Sequence, residues 1–161
     1  MLGQDGVLYR KPSNLTHIPV DFCEMKSSSY YKALPGSMPV EDIKVEFLDV
    51  LKCLKSGDLS KEIALEALSE LSDRQWNAYC VLSDDVRPSV ADVLISMWDG
   101  RCIDSAETIV SIVSRLGLGR VLRFLSEIDP NQTSPDVYIE IHEAVEELRD
   151  SVEDPYSGMQ S

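Results

Sequence analysis

Histidine occurs twice in this chain of 161 residues, cysteine four times, and its 15 Lys+Arg are outnumbered by 28 Asp+Glu. Each shortage excludes something. His17 and His142 are isolated, and neither has an evident partner for acid–base or nucleophilic catalysis, so no enzyme activity is expected. The cysteines, Cys23, Cys53, Cys80 and Cys102, form no CxxC pair, and no zinc site is expected from them. Three of the four lie in apolar helical contexts, where a thiol behaves as a small hydrophobe; reduced thiols and a cytoplasmic location are the expectation. No run of about 18 apolar residues is present, so no bilayer-spanning helix is expected. Residues 1–10 lack a basic segment followed by an apolar one, and no secretory leader is expected.

The shortage of positive charge leaves a net charge of −13 and a pI near 4.4. Direct nucleic-acid binding needs cations to displace phosphate counterions, and an anionic membrane surface repels such a chain. A cationic partner would instead be attracted. With 43% hydrophobic residues, the chain can still build an ordinary core, and its length suits one domain.

Residues 1–36 carry three acids and four bases, contain Pro12, Pro19 and Pro35, and show no helical period. They read as a loop-rich arm, with short extended pieces at 7–9 and 17–22. From residue 37 helical signals repeat. An apolar stripe through Val40, Ile43, Phe47, Val50, Leu51 and Leu54, acids at its start, lysines at its end and Gly57 beyond mark a helix over 40–56. Ser60 caps 61–71, and Asp73 reads as the cap of 74–82. Ser89 with Asp92, and Asp104 with Glu107, have the spacing of capping boxes for 90–98 and 105–116. Gly117 and Gly119 precede 120–128. Ser134-Pro135 opens a last helix to about residue 153, since proline suits the first helical position. The expected fold is all-α: a compact antiparallel bundle of about seven helices over 37–154, with a flexible tail at 155–161. Openings near Val40, Asp73, Asp104 and Ser134 recur at roughly the length of a helical repeat, so a short solenoid is the alternative. Trp76, Tyr79, Trp98 and Phe124 lie at helical spacing and read as core.

Between Ser134 and Asp154 stand eight acids and one base. On a helical wheel Val137, Ile141, Ala144, Val145, Leu148 and Val152 share one arc. Asp136, Glu140, Glu143, Glu147, Asp150 and Asp154 share another. This stripe admits three readings: a solvated face, an internal partner for Arg101, Arg115, Arg120 and Arg123, or a docking surface for a basic protein. Residues 129–140 place oxygen side chains at several EF-hand positions, but Ser134 stands where the turn needs glycine. Gly117-Leu-Gly119-Arg120 follows no strand and reads as a helix stop rather than a phosphate loop. No metal or cofactor is expected. Tyr30 and Tyr31, in a polar stretch, form a second candidate contact patch.

The expected function is inhibition by protein binding, most concretely that of an immunity protein neutralising a toxin or nuclease domain with a basic groove. Alternatives are a phage-type nucleic-acid mimic acting on a host DNA-binding protein, and a secretion chaperone or adaptor.

Overall fold

The computed structural model of the chain describes residues 26–152. Among them are seven α-helices and no strand: α1 (Ser28–Lys32), α2 (Val40–Lys55), α3 (Lys61–Asn77), α4 (Arg87–Ser96), α5 (Ile103–Leu116), α6 (Gly119–Ser126) and α7 (Pro135–Leu148). The all-α expectation stands. The extended pieces at 7–9 and 17–22 and the tail at 155–161 lie outside the described residues.

α2 forms as its residues dictate. Ile43, Phe47 and Val50 are fully buried, and Gly57 ends the helix at φ 84°. The Gly57 and Asp58 N–H groups return to the carbonyls of Leu54 and Cys53, closing two otherwise orphaned acceptors.

The expected break at Asp73 does not occur. α3 runs unbroken from its Ser60 cap, whose Oγ accepts from the Ile63 N–H. Asp73 resembles a cap in isolation, but Ser72, Arg74 and Gln75 are buried, and their neighbours hold this turn in the helix. The Arg74 guanidinium donates to Glu70 Oε1 at 2.5 Å and to the carbonyls of Lys32, Leu34 and Pro35 at 3.2, 2.7 and 3.2 Å. Just past the end of α3, Tyr79 takes the left-handed conformation (φ 54°) usual for glycine and is 68% exposed, so it is not core. Trp76, Trp98 and Phe124 are half-buried, the latter two against the core.

The two expected capping boxes are also absent. α4 begins at Arg87 with Pro88 in its first turn, which places Ser89 inside the helix. α5 begins at Ile103, so Asp104 contributes its charge to the first turn rather than a cap. α5 stops at Gly117 (φ 70°), the helix stop read from the sequence. α7 ends at Leu148, well before residue 153. Its last turn holds no base, and the acids that follow oppose the helix dipole.

Six helices close a ring through the successive contacts α2–α3, α3–α5, α5–α7, α7–α6, α6–α4 and α4–α2. Leu68 and Leu71 of α3, Leu94 of α4, Ile109 and Ile112 of α5 and Ile141 of α7 fill the interior. A solenoid would leave its ends apart. This is a compact bundle.

Residues 26–36 belong to the body rather than to an arm. α1 packs on α3, and Tyr31 is 2% exposed, against the expectation that it stands on the surface. Lys26 Nζ bonds Glu46 at 3.2 Å and Asp49 at 3.0 Å; the Tyr30 hydroxyl donates to Glu46 at 2.6 Å. Burial works against the Lys26 charge, yet these two carboxylates raise its pKa overall. The expectation of reduced thiols fails at one position. Cys53 is disulfide-bonded, while Cys80 and Cys102 are not in disulfides.

Two outcomes follow from this packing. Burial pushes the Tyr31 phenol up to about 12. A folded pKa raised above the ordinary value near 10 gives stability that is intact below that value and falls as pH rises toward the folded one. Denaturant titrations across this alkaline range should show the loss in the wild type and a smaller loss in Tyr31→Phe. Tyr79→Gly should stabilise by about 0.5–1 kcal/mol, since relief of left-handed strain exceeds glycine's entropic cost. A lower urea midpoint in that variant would contradict the strain.

Candidate functional site

α7 is positioned by its apolar face. Val137, Ile141, Ala144 and Val145 are buried against the core side, and α5 and α6 pack on the helix. Its start is fixed at a second point. The Ser134 N–H donates to the Gly100 carbonyl at 2.9 Å, joining the loop after α4 to the α7 N-cap. A Cβ on Gly100 would lie 2.9 Å from both the Gln132 carbonyl oxygen and Thr133 Cγ2, so this approach requires glycine.

The opposite face carries the acids. Asp136, Glu143 and Glu147 are exposed and Glu140 is half-buried on the helix; Asp150 is exposed just beyond its end. Asp154 lies outside the described residues. Four of the stripe's acids thus stand on α7 itself. Three like-charge neighbour pairs remain between the stripe's acids on α7, Asp136–Glu140, Glu140–Glu143 and Glu143–Glu147, together destabilising by about 1 kcal/mol. Asp136 is a special case. It accepts from the Ser134 hydroxyl at 2.6 Å and from the Val137 N–H at 2.9 Å, and these bonds hold its carboxyl below the usual carboxylate range. Its charge sits where the helix dipole favours it.

None of the stripe's acids forms an ion pair among the described residues. The arginines that could have neutralised them lie elsewhere. Arg120 pairs with Asp92 of α4, and Arg149 pairs with Glu146 on the side of α7 away from the stripe. Arg115 comes nearest, lining the same cleft of about 350 Å³ as Glu147 and Trp76 without reaching bonding distance. The internal-pairing reading of the stripe is thus not what the fold does.

The other motifs have local explanations. Asp129 caps the 3-10 turn Pro130–Gln132 by accepting from the Asn131 N–H, and Ser134 serves Asp136 and Gly100. Among the described residues no three His, Cys, Asp or Glu side chains gather as a metal-ligand set. His142 is exposed and stacks on Tyr138, with ring centroids 6.0 Å apart. Of the two tyrosines offered as contacts, Tyr31 is enclosed. Tyr30 remains partly exposed with its hydroxyl on Glu46 and Lys26 over its ring at 4.6 Å. Ile139, 57% exposed on α7, was not singled out from the sequence. Its place between the acidic arc and the far side of the wheel was the available signal.

The chain matches no family model, and no curated protein or solved structure matches it.

Because the stripe is uncompensated, inserting one base should stabilise the fold. Glu143→Lys replaces repulsion from Glu140, Glu146 and Glu147 by attraction, a gain of about 1 kcal/mol at low salt. Urea unfolding at two salt concentrations measures it; destabilisation would show that Glu143 has an internal partner.

Proposed function

We propose that the chain acts by binding a basic protein through the acidic face of α7, most concretely as an immunity protein that neutralises a toxin such as a nuclease with a basic substrate groove. One observation carries this reading: Glu143, Glu147 and Asp150 stand exposed on or beside one helix with no cation paired to them among the described residues, while Arg120 of α6 is engaged by Asp92. A basic groove evolved to hold phosphates presents guanidinium and ammonium groups at similar intervals. Carboxylates repeated every three or four residues, one helical turn apart, can meet several of them together. Long-range attraction between such surfaces accelerates encounter and weakens as salt screens it. Ile139 adds an apolar contact beside the charges. The all-helical fold lends nothing to the secretion-chaperone alternative, for which a mixed α/β dimer was the expectation.

The test uses the full chain immobilised as bait for extract of its source cell. A basic protein should be retained at low salt and released as salt rises, and adding the chain in solution should block that protein's nuclease or toxic activity. A variant with Glu140, Glu143, Glu147 and Asp150 all changed to Lys should bind it about a hundredfold more weakly, with its helical content unchanged. Equal retention by wild type and variant would remove α7 from the reading. A retained protein that is a host DNA-binding factor would make the same face a nucleic-acid mimic instead.

A further inference from the structure

Away from the outer face of α7, the ends of α4 and α6 enclose a cleft of about 400 Å³. Two aromatic rings form its walls: Trp98, just past α4, and Phe124 of α6, with centroids 6.4 Å apart and planes at 81°. Ile128 and Gly100 also line it. Glu127, the C-cap of α6, and Asp129 bring carboxylates to the same space. Among the described residues, neither acid forms an ion pair, and the Asp129 carboxylate accepts from the Asn131 N–H alone.

Each of these features favours positive charge. Aromatic faces attract cations through their quadrupole. Helix C-termini present carbonyl oxygens and the negative end of the dipole, and both α4 and α6 end at this cleft. Two carboxylates add formal charge. The nearest arginines in the sequence do not line it: Arg101 is absent from its walls, and Arg123 lines a separate groove between α6 and α7. An ammonium would gain from the charge, but a planar guanidinium can also stack on a ring and bond a carboxylate through two N–H groups.

We propose that this cleft is a binding pocket for an arginine side chain of the basic partner, packed against the Trp98–Phe124 wall and bonded to Glu127. The proposal rests on the reading of a basic partner and deepens it by giving that partner an anchor residue. The Gly100–Ser134 bond ties the wall of this cleft to the start of α7, so an arginine bound here would lie toward the N-terminal end of that helix. Anchors of this kind, enclosed and aromatic, carry a large share of binding where rim charges mostly steer.

The test needs no partner protein. In a Trp76→Phe background, Trp98 is the sole tryptophan and reports directly on the pocket. N-acetylarginine amide should shift its emission saturably in the millimolar range, whereas N-acetylcitrulline amide, of the same shape without the charge, should not. Glu127→Gln should weaken the arginine response about tenfold, the loss expected for one charge-assisted bond. The α7 variant with four lysines should retain the response. An absent or unsaturable shift, an equal response to citrulline, or indifference to Glu127→Gln would each overturn the pocket. None of these bears on whether α7 binds a basic protein, which the pull-down decides separately.

Discussion

Apolar packing of one face of α7 against α5 and α6 is the interaction on which the candidate surface depends. A helix whose exposed side carries like charges at every turn is disfavoured by about 1 kcal/mol from those charges. Burying Val137 and Ile141 contributes several kcal/mol in the other direction, so the contest is not close. The core therefore fixes the spacing of the acids. Among the described residues past Leu148, Val152 alone is buried.

Several of the chain's cations are directed at its own acids. Lys26 joins α1's approach to α2, Lys44 meets Asp85, Arg74 gathers three carbonyls and Glu70, and Arg87, Arg120 and Arg149 each hold a carboxylate. Exposed pairs of this kind contribute little to stability one by one. Arg74 differs because it is enclosed, and its removal would leave several acceptors without a donor. The outcome is an asymmetric surface. Among the described residues these pairs tie Lys26 to α2, α2 to the turn before α4, and α4 to α6, while the acids of the α7 stripe take part in none of them.

Periodicity made much of this architecture readable. The stripes of α2, α5 and α7 appear in the sequence because each helix buries residues three and four apart, and Gly57 and Gly117 mark real stops. What escaped the sequence depends on contacts between distant segments. Asp73 carries the local signature of a cap, and only the burial of Arg74 against residues 32–35 shows why the helix passes through it. Tyr31 sits in a polar stretch, and its burial follows from α1 lying on α3. The acids of α7 were identified from the wheel, but their lack of arginine partners was not, since that depends on where Arg115 and Arg120 come to rest. The aromatic cleft is the extreme case: Trp98, Phe124 and Asp129 come from three stretches of chain and read individually as core or turn.

The ring of helices also determines how the molecule comes apart. In an open stack of repeats, the ends can fray while the middle persists, because each unit answers only to its neighbours. Here α2 and α7, far apart in the chain, belong to one closed circuit, and losing any helix strips contacts from two others. Such a body is expected to melt in one cooperative step. A molecule gripping α7 alone would consequently be protected everywhere at once, since binding energy gained at one helix must be surrendered before any other can open.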